Sequence, residues 1–375
     1  MSHFRILLLG DYSNLHSLLG RTLTAMGHEV TVISDGSGFQ DTQRDITIRR
    51  RPGKIGGLQL CLELLHGPLR KNLCGYDIVA LQNPNFLPLK PKRLRYFFDR
   101  LRNENGTVFL SCAGTDPLFI RECLDPESPL QYNEYRIGDR PAPYAIECAE
   151  RIARFTSPEM NRYCDYVYKN IDGAVTALYE YDVAVRRFLG DSMTAYGGLP
   201  LDISDFETTT YNFDAAPIKI FLGRHRNRYS EKGTDLLEKA ARRIVDKSYG
   251  KVSLQIVENV PYRLYTDMMC SSHLMLDQIY SYTPAMNALI GMGHGLNVIS
   301  GGENDFYKFI GEDDYRPIIN APTDVDALAD LIDDICSHPE LMAERGQRSR
   351  EFVLRHHDPL TVASRYLNFW KSKLR

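Results

Sequence analysis

Short apolar runs alternate with stretches whose apolar residues recur at three- and four-residue intervals, and the alternation persists along most of the 375 residues. That pattern predicts strand-and-helix units wound into parallel sheets. Phe4 to Leu9 reads as the first buried strand, followed by the polar turn Gly10-Asp11-Tyr12-Ser13-Asn14 and a helix to about Met26. Gly27 closes that helix, and Glu29 to Ser34 supplies the second strand. Further strands are expected at Asp77 to Leu81, Thr107 to Ser111 and Gly173 to Leu178. The stretch from about 118 to 140 lacks periodicity and is rich in Pro, Asp, Glu and Tyr, so it reads as a long loop of the kind that often serves as a lid.

A second series begins after Gly197-Gly198-Leu199-Pro200, which reads as a linker. Strands are expected at Ile218 to Leu222, Val252 to Val257, Leu274 to Leu276 and Asn297 to Ser300, with helices over Gly233 to Lys247 and from near Pro284, the proline in its first turn. From Asp324 the chain reads as helical, broken near Pro339 and at His357-Asp358-Pro359. Two doubly wound α/β domains with a helical tail are the simplest architecture, and the length suits two domains. The boundaries follow as 1–200, 201–355 and 356–375.

Composition narrows the class only a little. The 43% apolar and 10% aromatic residues exclude general disorder, and no apolar run approaches the roughly 20 residues that cross a bilayer. The apolar run near Met1 is too short for a signal peptide and fits a strand. Eight cysteines occur without a C-x-x-C pair or a histidine in metal spacing, so no metal site is expected and the thiols read as those of a reduced, cytosolic protein. Cys112, at the end of a strand, has no histidine near it in sequence, which leaves a catalytic thiol the lesser reading. The net charge of −3 divides unevenly. Residues 1–110 carry 15 Lys and Arg against 9 Asp and Glu, a formal +6, and the other 265 carry 30 against 39, a formal −9. The excess cations gather at Arg49, Arg50, Arg51 and Lys54, and at Lys90, Lys92, Arg93, Arg95, Arg100 and Arg102. A solvated face explains such clusters; so does a surface for anionic lipid or an anionic acceptor. The acidic total argues against nucleic acid.

In doubly wound sheets ligands lie beyond the carboxyl ends of the strands, so the turns carry the chemistry. The first turn holds one glycine, Gly10, and lacks the G-x-G-x-x-G of a dinucleotide site; Asp11, Ser13 and Asn14 there either bond a ligand or cap the helix. Asn83 and Asn85 follow the strand ending near Gln82. The turn Gly223-Arg224-His225-Arg226-Asn227-Arg228 leads through Lys232-Gly233 into a helix, a set of cations and glycines that suits a diphosphate. Asp277-Gln278-Ile279-Tyr280-Ser281-Tyr282-Thr283-Pro284 opens another helix with hydroxyls for phosphate or sugar oxygens, Asn287 lies in that helix, and Gly301-Gly302-Glu303-Asn304 forms a further polar turn.

These residues resemble the retaining glycosyltransferases of family 4, which have the GT-B fold. Gly27-His28-Glu29-Val30-Thr31-Val32 resembles the family's end of first helix and second strand, and Gly223-Arg224 with Lys232-Gly233-Thr234-Asp235-Leu236-Leu237 is similar to its G-R…K-G-x-D-x-L signature. Leu199-Pro200-Leu201-Asp202 resembles the segment joining its domains, Gly295-Leu296-Asn297-Val298-Ile299-Ser300 the strand after its donor-binding helix, and Arg350-Glu351-Phe352 to His357-Asp358 its closing helices. The resemblance implies two facing Rossmann-like domains with a C-terminal helix returning to the first. It also implies transfer of a sugar, with retention, from a nucleotide diphosphate sugar to an acceptor hydroxyl in polysaccharide or glycoconjugate synthesis. Arg224 and Lys232 would hold the diphosphate, Gly223, Asp277, Tyr282, Thr283, Asn287 and Glu303 would line the donor site, and Gly10, Asn14 and Asn83 the acceptor side. Asp116 would contact the sugar or acceptor, with a helix or turn cap as its plainer role.

No cofactor or metal is implied beyond the donor. The partners would be the nucleotide sugar, a glycan or lipid-linked acceptor and, peripherally, an anionic membrane, in the cytoplasm or at the inner membrane face. One departure from the family stands out. Its two glutamates eight positions apart fall, anchored on Gly295, at Tyr282 and Ile290, and no Glu lies between Glu258 and Glu303. That favours as the alternative a catalytically weakened protein of the same fold, which binds a sugar nucleotide or partners an active enzyme.

Overall fold

The structure is a computed structural model that describes residues 3–36, 41–213, 217–225, 228–312 and 314–374. The chain divides into two compact units. The first comprises 1–122, 149–200 and 359–375; the second comprises 123–148 and 201–358.

Continuous Val, Ile and Leu runs leave no polar face on a strand, so such strands need helices on both sides and form parallel sheets. Unit 1 is built on seven parallel strands in the order Ile46–Thr47, Glu29–Ser34, Arg5–Leu9, Ile78–Leu81, Thr107–Leu110, Gly173–Thr176, Thr194–Tyr196. Leu7, Leu9, Val79, Leu81, Val108 and Leu110 are wholly enclosed in its core. The last helix, Pro359–Lys373, belongs to this unit: Trp370 lies against Phe109 with ring centroids 6.0 Å apart, and Tyr366 is fully buried. Unit 2 holds five parallel strands in the order Val252–Val257, Ile218–Gly223, Leu274–Leu276, Asn297–Ser300, Ile319–Asn320. Two parallel-sheet α/β units are what the apolar pattern predicts, and Glu29–Ser34, Val252–Val257, Leu274–Leu276 and Asn297–Ser300 have the expected bounds.

Three departures have local causes. The stretch from 118 to 140 is not a structureless loop: it starts inside the helix Pro117–Leu124 and contains a small antiparallel hairpin, Arg136–Ile137 with Arg140–Pro141. Its order comes from side chain to backbone bonds rather than apolar periodicity, since Arg136 donates to the carbonyls of Leu130, Gly138 and Cys123. The helix expected from Pro284 starts at Met286, so that proline precedes it. The short strands Ile46–Thr47, Thr194–Tyr196 and Ile319–Asn320 carry too few residues to show a period.

In each sheet the chain winds outward both ways from its first strand. The order therefore reverses between Arg5–Leu9 and Ile78–Leu81 in unit 1, and between Ile218–Gly223 and Leu274–Leu276 in unit 2. Turns leaving those strands flank a crevice at their carboxyl ends, where such sheets bind ligands.

Candidate functional site

The strand Ile218–Gly223 ends at a residue whose missing side chain makes room for Tyr265, because a Cβ on Gly223 would lie 2.0 Å from the Tyr265 hydroxyl. That hydroxyl donates to Asn287 Oδ1 at 2.9 Å, and Asn287 Nδ2 donates to Asp277 Oδ1 at 2.9 Å. Lys232 Nζ stands 3.4 Å from the same oxygen, and Ser300 Oγ donates to Asp277 Oδ2 at 3.0 Å. The Ile279 amide donates to the Lys232 carbonyl at 2.9 Å, tying the two turns that flank the switch point. Gly233 follows with φ +69°, the left-handed conformation that lets the chain turn into the helix Thr234–Lys247. The Asp277 side chain has no exposed surface, whereas that of Lys232 is 25% exposed. The carboxylate is thus wholly committed to the protein, whereas the lysine side chain stays partly open to solvent.

Arg224 is also one quarter exposed and lies between two carboxylates. It pairs with Glu238 and with Glu258, its Nε 2.7 Å from Glu258 Oε1, and its guanidinium stands 5.0 Å from the centroid of the Tyr229 ring. Arg228 pairs with Glu231. Arg226 and Asn227, counted in the cationic turn, lie outside the described residues.

A second group forms around Glu303, whose Oε1 accepts from the Tyr132 hydroxyl and from Asn320 Nδ2, both at 2.7 Å. Tyr132 stacks on Tyr282 with ring centroids 4.9 Å apart, and the Gln131 amide donates to the Tyr282 hydroxyl at 2.6 Å. The carbonyl of buried Thr283 accepts from Ser281 Oγ. The structure thus brings Gly223, Lys232, Asp277 and Asn287 into one network, and Tyr282, Thr283 and Glu303 into a cluster with the segment 123–148.

At the switch point of unit 1, Gly10 has φ +86°, and a Cβ there would meet Gln82 Oε1 at 2.6 Å. Its carbonyl accepts from His16 Nδ1 at 2.6 Å, and His16 Nε2 lies 2.7 Å from Ser111 Oγ. A carbonyl only accepts, so the proton sits on Nδ1 and Nε2 accepts the serine hydroxyl hydrogen. Burial lowers the His16 pKa to about 4, keeping the ring neutral. Asn14 occupies the N-cap position without a side-chain bond; Asp11 accepts the His16 amide instead, at 2.9 Å. Buried Asn83 donates to the Ala113 carbonyl at 3.1 Å and accepts from the Asn85 amide at 2.8 Å. Asp116 is enclosed: Oδ1 accepts from the Phe119 amide at 2.8 Å, Oδ2 from the Tyr168 hydroxyl at 2.7 Å, and burial raises its pKa. Cys112 sits 3.8 Å from the same hydroxyl, and burial pushes its thiol well above the usual range, which keeps it protonated.

Solved structures supply the comparison. Sucrose-phosphate synthase of Thermosynechococcus elongatus superposes with TM-score 0.64 at 15% identity, over 98% of each chain. Starch synthase IV of Arabidopsis thaliana, its catalytic domain bound to ADP and acarbose, gives 0.61 at 11% over 99% of each. Anabaena HepE with UDP-glucose gives 0.59 at 11%, over 99% of this chain and 100% of that one. The two units carry the GT-B fold. No protein-family model and no curated protein sequence matches the chain.

Within this GT-B protein several site residues escape a reading of the sequence. Tyr265 joins the network from a helix that reads as surface, Ser300 from a strand quoted for its resemblance and not for a polar role, and Glu238 sits mid-helix where it reads as a surface residue. Tyr132 lies in a stretch read as loop. His16, in the first turn of the helix that follows Gly10, offered a signal in being a histidine on an otherwise apolar helix face. Ile290, where the resemblance would set a second glutamate, is buried. Among the described residues no group of three or more His, Cys, Asp or Glu could hold a metal ion.

Proposed function

We propose that the protein transfers a sugar from a nucleotide diphosphate sugar to an acceptor hydroxyl, with retention of anomeric configuration, in the synthesis of a polysaccharide or glycoconjugate. The observation that carries this is Lys232, paired at the switch point of unit 2 with an Asp277 that Asn287 and Ser300 anchor, its own side chain one quarter exposed. The fold adds support, since HepE was crystallised with UDP-glucose and starch synthase IV with ADP.

Negative charge grows on the diphosphate as the glycosidic bond breaks. Lys232 and Arg224 therefore stabilise the transition state more than the bound donor. Asp277 and Asn287 act by fixing the lysine. Gly223 lets the backbone approach the phosphates, and Tyr282, Thr283 and Glu303 receive the sugar and ribose hydroxyls in place of the family's glutamate pair. Gly10, Asn14 and Asn83 line the acceptor side, where Asp116 positions the turn after Ser111. The leaving phosphate takes the acceptor proton, so side chains supply all the charge and no cofactor is assigned.

The test is thermal stabilisation by a panel of nucleotides and nucleotide sugars, followed by turnover of the best ligand. A ligand that binds only the folded state at 100 times its Kd adds about 2.7 kcal/mol. Arg224→Ala and Lys232→Ala should each remove most of that gain and the turnover. A second reading, a sugar-nucleotide binder without transferase activity, is favoured by one observation: Arg224 already pairs with Glu238 and Glu258. Stabilisation by a nucleotide sugar with no turnover of any donor selects the second reading.

A further inference from the structure

Most helices of unit 1 bury one apolar stripe. Pro91–Glu104, for example, buries Leu94, Phe97, Phe98 and Leu101 and shows a polar outer face. The helix Gly53–His66 is different. Gly56, Gly57, Leu60, Cys61 and Leu64 are buried, yet Ile55, Leu58 and Leu62 are 73%, 53% and 51% exposed. Steps of three and four residues place those three within an arc of roughly 60° on the side away from the core. Gln59, Glu63 and His66 border the stripe, which itself stays more than half exposed.

The surroundings of that stripe are cationic. Arg49, Arg50, Arg51 and Lys54 are exposed at the start of the helix, and Lys90, Lys92 and Arg93 at the start of Pro91–Glu104. Arg50 donates to the Pro88 carbonyl at 2.9 Å, which draws the two runs together. Both the Arg50 and Arg93 guanidinium groups reach Gly57, where a Cβ would lie 3.4 to 3.5 Å from them. Nearby Arg95 and Arg100 are matched by Asp99 and Glu104, whereas none of those seven cations forms an ion pair among the described residues. Glu63 is the single carboxylate of the helix.

We propose that this face docks unit 1 on a bilayer containing anionic lipid. Ile55, Leu58 and Leu62 enter the boundary of the acyl chains, and Arg49, Arg50, Arg51, Lys54, Lys92 and Arg93 meet the headgroups. A helix lying in the interface needs this pairing of an apolar stripe with flanking cations, because neither alone holds a protein stably at a membrane. A second copy of the chain fits poorly, since a two-fold interface would set the unneutralised cluster against itself. The inference deepens the transfer reading by locating where a lipid-linked acceptor is met, but it stands without any activity.

Sedimentation of the full chain with vesicles of phosphatidylcholine alone, or mixed with phosphatidylglycerol, tests it. The wild type should bind the mixed vesicles, bind neutral ones far less, and lose binding as salt rises. Each headgroup-facing cation is worth about fivefold, so Arg49→Gln, Arg51→Gln and Lys54→Gln together should weaken binding about 100-fold. Ile55→Ser, Leu58→Ser and Leu62→Ser together should abolish it while leaving the melting temperature and any stabilisation by nucleotide sugar unchanged. Equal binding to both vesicle types, binding to neither, undiminished binding by either triple variant, or a wild-type dimer that Leu58→Ser dissociates would overturn the proposal. Vesicle binding by a wild type that no nucleotide stabilises leaves the docking face standing and removes the transferase reading instead.

Discussion

Replacing Asp277 by Asn tests whether the network at the switch point holds Lys232 in place. Three donors converge on the two carboxylate oxygens: Lys232 Nζ and Asn287 Nδ2 on Oδ1, and Ser300 Oγ on Oδ2. An amide offers one acceptor oxygen and a donor group. The Ser300 hydroxyl can turn to accept from that new donor, but lysine and Asn287 must then share a neutral oxygen, and the charge-assisted contact is gone. A hydrogen bond to a charged group contributes about 1.5 to 3 kcal/mol, so Asp277→Asn should cost roughly 2 kcal/mol and lower the melting temperature by about 4 to 8 °C. Lys232→Met should cost at least as much, because it leaves the fully enclosed Asp277 carboxylate without its counter-ion. The double variant decides. If the pair interacts, the two costs fall short of additivity by about 1 to 2 kcal/mol in urea midpoints scaled by the m-value. Costs that add within about 0.5 kcal/mol would refute the pairing, and with it the idea that an enclosed aspartate serves the donor site through lysine. Asp277→Asn should also lower kcat/KM for the donor although its side chain reaches no solvent.

Other predictions are simpler. His16 titrates near 6.5 when unfolded and about 4 when folded, so only the unfolded chain takes up a proton between those values; stability is complete above pH 6.5 and falls by up to about 3 kcal/mol by pH 4. The raised pKa values of Asp11 and Asp116 act in the opposite sense, so the measurement is the difference in denaturation slope between wild type and His16→Gln, which should lack the histidine contribution. Asp116→Ala removes the acceptor for the Phe119 amide and should cost about 1 to 2 kcal/mol, and donor binding, measured by calorimetry, should stay unchanged if the residue positions the turn. Gly223→Ala should displace Tyr265 from Asn287, weakening nucleotide binding as well as stability; unchanged calorimetric affinity would show that the tyrosine is not part of the site.

Strands rich in Val, Ile and Leu and ended by glycine or a polar turn announced both sheets, because a doubly covered parallel strand has no polar face to blur its limits. Gly223, Lys232, Asp277 and Asn287 could be singled out because they stand at the ends of such strands or open the helices after them. Their mutual arrangement could not, since Tyr265 belongs to a helix that reads as surface and Ser300 ends a strand that reads as ordinary core. Tyr132 was hidden for another reason. The order of its segment rests on Arg136 and Asn133 bonding backbone carbonyls and amides, and such bonds leave no period in the sequence. The exposure of Ile55, Leu58 and Leu62 was equally invisible, because an apolar residue on a helix shows its neighbours only once the helix is packed.

The way the units are cut from the chain bears on how the protein is made. Unit 1 is assembled from three separate stretches, and the last, 359–375, supplies the buried Tyr366 and Trp370. During synthesis its sheet therefore waits for the final helix, with the apolar surface around Phe109 uncovered while all of unit 2 is translated. Segment 123–148 emerges long before the sheet it packs on. Neither unit can be excised by a single cut, and a ribosome stalled before residue 359 would hold a chain whose second unit is complete and whose first is not.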